Sequence, residues 1–472
     1  MSNAAQTDLS PAQILADLWS LAAGEPAALA RVTLTGSEPM LPSSFRVGAA
    51  AQTTIAAAAL AAAEIWRQRT GRAQAVAVDM RAAAVEFRSE RHMRLAGNPP
   101  GPTWDKIAGV YRTGDGRTVR LHTNFLHHRE GMLKLLGCAY EREAVQAALA
   151  KWEGEKFETA AADAKLVASM TRSPAEWAAH AQGSAVAQLP LLEISKIGEA
   201  PARALPPAGE RPLSGIRVLD LTRVIAGPVC GRTLAAHGAD VMRITTPHLP
   251  GFPLLDTDTG RGKLSAALDL RAEEDRERLS SLLREAHVFV QGYRPGGVAA
   301  LGFSPEACAE IRPGIVTVSL SAYGHAGPWA SRRGFDSLVQ NASGINHAEA
   351  EAAGITTGPK ELPAQALDHA TGYLMALGAM MALTRKVREG GSWHVRVSLA
   401  QTAHWLTRLG RLPNGFDCPD PKHADVTDLL DEMDTPQGRL TFVKHAAVLS
   451  ETPALWARPP VPLGTHAAVW PV

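Results

Sequence analysis

Residues 213–245 read "LSGIRVLDLTRVIAGPVCGRTLAAHGADVMRIT" and predict the start of an α/β domain. A short run rich in Ile, Val and Leu is followed by a turn containing Gly and Pro, a helical run of small residues, and a second apolar run that ends at Thr245. This order predicts a strand, a crossover helix and a parallel second strand. A domain that begins after more than two hundred residues requires an account of the residues in front of it.

The same alternation continues along the chain. The strand-like runs "HVFVQ" (287–291) and "GIVTVSL" (314–320) are separated by the helical runs "EEDRERLSSLLREA" (273–286) and "SPEACAEI" (304–311). The sequence therefore predicts a Rossmann-like parallel sheet with right-handed crossovers. No G-x-G-x-x-G motif follows the first strand, so hydride transfer with a nucleotide cofactor has no support.

Composition restricts the class of protein. A chain of 472 residues is expected to fold into more than one domain. It carries 48 Lys and Arg against 47 Asp and Glu, so no basic tail indicates a nucleic-acid partner. Four scattered cysteines without a C-x-x-C pair argue against disulfides and zinc and fit a reducing cytoplasm. The alanine-rich stretch 49–66 is the nearest candidate for a membrane span, but its composition favours a buried helix. We therefore expect a soluble cytoplasmic protein with no membrane partner and no metal.

An internal repeat links the two halves of the chain. The stretches that begin at Ala56 and Ala376 share one pattern: a helix of small residues, a basic turn with Gly, an alternating strand and a second helix. The offset is constant at 319 positions, as Val76 and Val395 illustrate (395 minus 76). The front of the chain is therefore predicted to be a degenerate copy of the back. Two unrelated helix-turn-strand units with the same pattern are the alternative.

The predicted division of the chain follows from this repeat and from a segment rich in Pro and Gly, "LPPAGERPLSG" (205–215), which marks a boundary. Five parts are expected, in chain order: an N-terminal helix in 1–29, the degenerate copy in 30–205, a linker in 206–212, the Rossmann-like domain in 213–410, and a shortened small-domain remnant with a closing segment in 411–472.

Asp368 is the candidate for chemistry. It lies in "ELPAQALDHATGYLMALGAMMAL" (361–383), at the start of an apolar helix. An aspartate there can be a helix N-cap, or a nucleophile that backbone N–H groups keep ionised, and the two roles are compatible. At the offset of 319 the front copy has Ala49, which carries no carboxylate.

A glycine-rich stretch, "SAYGHAGPWASRRGFDSLVQNASG" (321–344), is the second candidate region. Its glycines permit close approach of the backbone to a ligand, and Arg332, Arg333 and Asp336 add charge, so it could form a pocket wall. An ordinary surface loop is the alternative. His127 and His128 are expected to be an exposed polar pair, because the histidines of the chain show no metal-ligand spacing.

Four stretches resemble successive signatures of the family III CoA-transferases, the formyl-CoA and carnitine CoA-transferase group also called CaiB/BaiF. They are, in chain order, the opening stretch, "GYRPGGVAALGFSPEACAEIRPGIVTVSLSAYGHAGPW", "RRGFDSLVQNASG" and "ALDHATGYLMALGAMMALTRKVREGG", and together they cover roughly residues 211–410. Residues 109–137 are similar to the small α+β domain of the family. The resemblance implies an interlocked fold and a homodimer, in which the front copy could supply a lid and a small domain to the back.

The resemblance also implies a mechanism. Asp368 matches the aspartate that attacks an acyl-CoA thioester to form a mixed anhydride, with CoA as a co-substrate and a small carboxylic acid as acceptor. The matching CoA contacts are Val224, Ala226, Leu268, Arg271, Tyr293 and Arg333.

Departures from the family pattern keep two alternatives open. Thr245 and Gly292 replace an acidic residue and an asparagine, which leaves a non-catalytic homologue that binds CoA or acts as a scaffold as one alternative, although the retained Asp368 argues against it. Phe335 stands where the racemase branch has a histidine, so racemisation or isomerisation of an acyl-CoA lacks one of its two bases. Transfer of CoA is therefore preferred.

Overall fold

The structure is a computed structural model that describes residues 9–294 and 296–471. Before residue 206 the helices are α1 (Pro11–Leu21), α2 (Val47–Thr70), α3 (Met80–Glu86), α4 (Ser89–His92), α5 (Leu126–Leu136), α6 (Arg142–Leu149), α7 (Gly154–Asp163), α8 (Pro174–Ala179) and α9 (Ala181–Ala187). The strands of this part are β1 (Val32–Thr35), β2 (Val76–Asp79), β3 (Arg94–Leu95), β4 (Gly109–Arg112), β5 (Thr118–Leu121), β6 (Ala168–Met170) and β7 (Glu193–Gly198).

After residue 206 strands and helices alternate. The strands are β8 (Arg217–Leu221), β9 (Asp240–Thr245), β10 (Lys263–Ala267), β11 (Val288–Gln291), β12 (Val316–Ser321), β13 (Ser392–Ser398), β14 (Leu430–Thr435), β15 (Gly438–Val443) and β16 (Ala447–Leu449). The helices are α10 (Ala226–Ala236), α11 (Pro253–Gly260), α12 (Glu273–Glu285), α13 (Pro305–Ile311), α14 (Asp336–Ala342), α15 (Ile345–Ala352), α16 (Ala366–Glu389) and α17 (Leu399–Arg408). Short 3-10 helices lie at Pro26–Arg31, Ala299–Leu301, Gly415–Asp417 and His423–Leu429.

The largest sheet has seven strands within the described ranges, in the order β10-β9-β8-β11-β12-β13-β7. All neighbours are parallel except β13 and β7, which pair antiparallel. The strand order reverses between β8 and β11, and in open parallel sheets such a switch point forms a crevice outside the carboxyl ends of the strands. The predicted α/β class with a Rossmann-like parallel sheet is confirmed.

Helices cover both faces of this sheet, as the apolar composition of its strands requires. Val218 faces the larger core, which also contains residues of α10 and α16. The neighbouring Leu219 faces a second core with Leu279 and Cys308, from α12 and α13. The strands are therefore buried on both sides, and the crevice at their carboxyl ends is the place where a ligand could approach them.

Helix α2 is the alanine-rich helix that the sequence predicted to be buried. By length and composition it is the one helix of the described residues that could cross a bilayer, and nearly all of it is buried inside the protein. Ala56, Ala59 and Ala62 are fully buried, and the helix packs against α16. Small side chains allow this close helix packing, so the prediction of a core helix is confirmed.

The elements around α2 and α16 fall at the offset of the predicted repeat. Both helices have 24 residues, and their bounds differ by 319 at each end (366 minus 47, 389 minus 70). In each helix the backbone N–H of the third residue donates to a carboxylate from another segment. Ala49 donates to Glu38 at 2.7 Å, and Asp368 donates to Asp336 at 2.9 Å. These correspondences support the proposal that the front of the chain is a degenerate copy.

The two halves of the chain share their sheets. Strand β7, which precedes the expected linker at 206–212, is the antiparallel edge of the large sheet. Strand β16, near the end of the chain, pairs with β2, and β15 pairs with β3. Residues 107–170 form a small α+β unit with its own core around the sheet β4-β5-β6. Strand pairing therefore joins the parts of the chain on either side of the linker. The bounds of the five predicted parts remain a proposal.

Candidate active site

Two cavities meet at Asp368. The first has a volume of about 290 Å³ and the second about 530 Å³. Four residues line both: Phe125, Val224, Phe335 and Asp368. Asp368 therefore borders both cavities.

The first cavity lies at the switch point of the large sheet. Its lining includes Val224 after β8, Tyr293 after β11 and Ser321 at the end of β12. Val224 has a φ of +73°, a left-handed conformation that is rare for a β-branched residue and costly to hold. Backbone strain of this kind is concentrated at functional sites, and here it shapes the turn that leads into α10.

Asp368 is the third residue of α16, and the alternative reading as its N-cap is wrong. The N-cap position is occupied by Gln365, which makes no side-chain capping bond. The N–H of Asp368 donates instead to the Asp336 carboxylate from α14, so Asp336 satisfies one of the free N–H groups of the helix start. Gln340 donates a side-chain hydrogen bond to the other oxygen of Asp336 and fixes its orientation.

The carboxyl group of Asp368 does not have the lowered pKa that a helix start predicts. Burial, the charge of Asp336 and the charge of Glu90 raise its pKa well above the ordinary value. Burial also raises the pKa of Asp336 to about 6. Burial alone would raise the pKa of Glu90 as well, but its contact with His369 at 3.3 Å and the charge of His369 lower it. Negative charge on Asp368 is thus disfavoured, because burial, together with repulsion from two acidic neighbours, outweighs the helix dipole.

Arginines surround the first cavity. Arg223, Arg294, Arg332 and Arg333 line it, and Asp368 alone is acidic among its described lining residues. Arg333 donates to the Lys165 carbonyl at 3.1 Å, and Arg223 lies over the ring of Phe125 at 4.8 Å. These four arginines, called the arginine cluster below, come from the part of the chain after the linker, and residues before the linker hold two of them. The positive charge suits the cavity to an anion such as a phosphate.

Rings and aliphatic side chains form about half of the wall of the second cavity, with Trp104 and His122 from the front of the chain and Phe252 and Phe335 from the back; polar and charged side chains form most of the rest. His122 is buried and stacks on Phe335 with 3.9 Å between the ring centres. Burial lowers the pKa of His122 to about 3, so the imidazole is neutral at ordinary pH. This cavity can therefore hold an apolar group beside Asp368.

The structure brings five of the seven residues predicted from the resemblance to these cavities. Asp368 and Val224 line both, and Ala226, Tyr293 and Arg333 line the first. The other two lie elsewhere. Leu268 is packed into the second core, and Arg271 is exposed and paired with Asp269, so their contacts with CoA remain predictions without support from either cavity.

Sequence analysis missed the contribution of the front of the chain to the lining. His127 is exposed as expected, but the expectation is wrong for His128, which is buried and lines the first cavity. His122 and Trp104 were not singled out. The dense run of aromatic and histidine side chains in residues 122–128 was the available signal, since such a run just after a strand is unusual for a purely solvent-facing segment.

Comparison with known proteins identifies the back of the chain. Residues 213–410 match the sequence model of CoA-transferase family III, so the resemblance is confirmed for this segment. The acetyl-coenzyme A transferase nodX of Hypoxylon pulicicidum is 30% identical over 64% of this chain and 54% of its own length. The formyl-CoA:oxalate CoA-transferase of Escherichia coli is 31% identical over 42% of this chain and 50% of its own length.

A solved structure also matches. The crystal structure of Rv3272 from Mycobacterium tuberculosis is 31% identical, covers 42% of this chain and 56% of its own, and superposes with a TM-score of 0.37, which is too low to compare overall architecture. The chain spans between 50 and 60% of the length of the curated relatives named first among its matches.

Proposed function

We propose that this chain, whose residues 213–410 match the family III CoA-transferases, moves CoA from an acyl-CoA thioester to a small carboxylic acid. One observation carries the proposal: Asp368 lies where an arginine-lined cavity meets a cavity walled by aromatic, aliphatic and acidic side chains. CoA would occupy the first and the acyl group the second, which places the thioester between them. A reacting group at that junction can reach the thioester carbonyl.

The chemistry balances without any further reactant. The ionised Asp368 carboxylate forms a bond to the acyl carbonyl carbon, the carbon–sulfur bond breaks, and CoA leaves as the thiolate. The thiolate then attacks the aspartyl carbonyl of the mixed anhydride, which gives an aspartyl–CoA thioester and releases the donor acid. An acceptor carboxylate repeats these two steps in reverse order, so that CoA leaves on the new acid and Asp368 is regenerated.

The acidic neighbours of Asp368 favour the first step. Burial together with the charges of Asp336 and Glu90 raises the pKa of Asp368, so its ionised form is more basic than an ordinary carboxylate. Acylation removes that negative charge and relieves the repulsion. The ground state is therefore raised relative to the acyl-enzyme, which lowers the barrier to attack.

The first cavity supports a CoA site. Its arginines complement phosphate groups, and the amino-terminal end of α10, at Ala226, opens onto the same space, where free N–H groups and the helix dipole favour negative charge. Tyr293 is mostly buried and can stack on an aromatic ring.

Trapping with hydroxylamine tests the proposal. The protein is incubated with an acyl-CoA and hydroxylamine, and mass spectrometry is used to find an aspartyl hydroxamate in the peptide that contains Asp368. Asp368→Asn should form none, whereas Asp431→Asn, a matched change at an exposed aspartate of β14, should react like the unchanged protein. A non-catalytic homologue would bind CoA esters without forming any adduct, and that outcome would reject the transferase mechanism.

Racemisation or isomerisation of an acyl-CoA is the second candidate. Phe335 stands where the racemase branch of the family has a histidine base, and the imidazole of His122 stacks on Phe335, close to that position. Reprotonation of the acyl α-carbon needs a group that can donate a proton, and burial lowers the pKa of His122 to about 3, which makes it unsuited to this task. Deuterium uptake at the α-carbon of an acyl-CoA in D₂O would support this candidate, and we expect none above the uncatalysed rate.

A further inference from the structure

The second cavity is walled by an aromatic cluster, defined here as Trp104, His122, Phe125, Phe252 and Phe335. His122 and Phe335 are stacked, Trp104 meets His122 edge to face at 5.6 Å, and Phe252 meets Phe125 edge to face at 6.4 Å. Three of these rings precede the expected linker and two follow it. The cluster is thus assembled by both halves of the chain at the place where the acyl group would lie.

The Trp104 ring is held in place by an ion pair. Arg120 lies over the Trp104 ring at 5.1 Å and forms an ion pair with Glu361. This pair joins β5 of the front of the chain to the segment that leads into α16. A wall fixed in this way offers a preformed surface rather than one that must be ordered when a ligand binds.

The size of the cavity favours a bulky acyl group. Its volume of about 530 Å³ lies within the range of roughly 300–1,000 Å³ that is common for pockets that bury drug-sized ligands. An acetyl group has only three heavy atoms and would leave most of this space to water, which would hydrolyse a mixed anhydride.

The charges on the wall disfavour a second carboxylate on the acyl group. Four acidic residues line the cavity, namely Glu90, Asp336, Glu361 and Asp368, and Arg91 is the one lining arginine or lysine among the described residues. The positive charge of Arg91 is already partly compensated, because its guanidinium group lies 3.7 Å from the Glu90 carboxylate. A dicarboxylic acyl group would add negative charge to this acidic wall.

We propose that the second cavity selects monocarboxylic acyl groups that carry an aromatic ring. The proposal rests on the proposed function for the position of the acyl group and adds its chemical class. Aromatic rings prefer offset stacked or edge-to-face contacts with other rings, and the aromatic cluster offers both to a planar acyl group. The acceptor acids are expected to belong to the same class, because their acyl groups pass through the same cavity.

Four CoA esters test the proposal: phenylacetyl-CoA, cyclohexylacetyl-CoA, acetyl-CoA and succinyl-CoA. Phenylacetyl and cyclohexylacetyl groups have the same carbon skeleton but differ in their π face. Hydroxamate formation at Asp368 should be at least about tenfold faster with phenylacetyl-CoA than with acetyl-CoA or succinyl-CoA, and faster than with cyclohexylacetyl-CoA. Equal or faster trapping with acetyl-CoA or succinyl-CoA would overturn the selectivity and leave CoA transfer intact.

Binding to the unreactive Asp368→Asn variant keeps the two proposals separate. Protection of this variant against heat should be larger with phenylacetyl-CoA than with acetyl-CoA at equal concentration. This order can be measured even if no ester gives a hydroxamate. Absence of trapping would then reject the proposed function, and equal protection by all four esters would reject the aromatic acyl site.

Trp104 offers the matched variants, because it lines the second cavity alone and is 38% exposed, so its replacement opens no core. Trp104→Ala should reduce the preference for phenylacetyl-CoA over acetyl-CoA by about tenfold, whereas Trp104→Phe should keep most of it. An unchanged preference in Trp104→Ala would overturn the role of the aromatic cluster.

Discussion

The chemical role proposed for Asp368 conflicts with the stability of the protein. It lies in a buried position beside Asp336 and Glu90, and its neighbours disfavour the charge that a nucleophile needs. Each unit by which a carboxyl pKa is raised costs about 1.4 kcal/mol of stability at a pH where the unfolded chain is ionised. A residue held at such a cost is expected to act in function.

Asp368→Asn should therefore stabilise the protein while it removes activity. The carboxamide has nearly the same shape and carries no charge, so the free energy of unfolding at pH 7 should rise by about 1 kcal/mol or more. The gain should shrink as the pH falls toward the unfolded pKa of about 4 and vanish below about pH 3, where the carboxyl group of the unchanged protein is protonated in both states. Urea unfolding at the two pH values measures it, and a less stable variant at pH 7 would contradict the repulsive environment.

The rate of acylation should depend on pH through the same carboxyl group. The attacking form is ionised and its pKa is raised, so activity should be lost as the pH falls, with a midpoint above the ordinary carboxyl value of about 4. In Asp336→Asn the amide oxygen can still accept the N–H of Asp368, but the repelling charge is gone, so the midpoint should move to lower pH. Single-turnover trapping across pH measures both, and identical midpoints would show that Asp336 does not act on Asp368.

Helices α10 and α16 set the position of the site through their close packing. Gly372 of α16 faces α10, and a Cβ atom at this position would lie 2.5 Å from the Ala226 carbonyl oxygen and 2.7 Å from Cβ of Val229. Backbone and a β-branched side chain can yield little to such an approach. Because Gly372 lies one turn from Asp368, the helix contact and the catalytic geometry are linked.

Gly372→Ala should consequently lower both stability and activity. Overpacking of a well-packed core costs about 1–3 kcal/mol, and separation of the helices would shift Asp368 relative to the arginine cluster. Gly358→Ala is the matched control, since a Cβ atom there has no neighbour within 4 Å. Thermal unfolding and hydroxamate trapping measure the effects. Unchanged values in Gly372→Ala would show that α10 adjusts without cost.

Both halves of the chain contribute residues to the two cavities at Asp368. Residues before the linker line both cavities, and strands from each half complete sheets of the other. Arg69 of α2 donates to the carbonyl groups of Pro206, the first residue of the linker, and Ser214, which follows the linker. These contacts support the proposal that the front of the chain serves as lid and small domain for the back, while the homodimer remains a prediction.

Cleavage at a protease site placed at residues 208–210, which are exposed, tests this arrangement. The two fragments should stay together on size-exclusion chromatography and keep trapping activity, because strand pairing and the contact of α2 with α16 hold them. After separation in denaturant, the fragment that begins in the linker should regain activity only when the front fragment is refolded with it. Full activity of the back fragment alone would contradict the shared site.

The sequence by itself determined the parts of the protein whose signals are local or regularly repeated. The resemblance of the motif around Asp368 to that of a known family made this residue the candidate nucleophile. Apolar runs and helix patterns predicted the parallel sheet, and the alanine composition predicted that α2 is buried. These features depend on residue order within short windows, where backbone geometry and side-chain periodicity act directly.

Only the tertiary structure decided which distant residues share the site. His122, Trp104 and Glu90 reach Asp368 across more than two hundred residues, and no local pattern encodes that approach. The same holds for the raised pKa of Asp368: a helix start by itself predicts a lowered one, but burial and the carboxyl groups of Asp336 and Glu90 reverse the direction. The physical reason is that charge interaction and solvent exclusion depend on distance in space, which the fold of both halves sets.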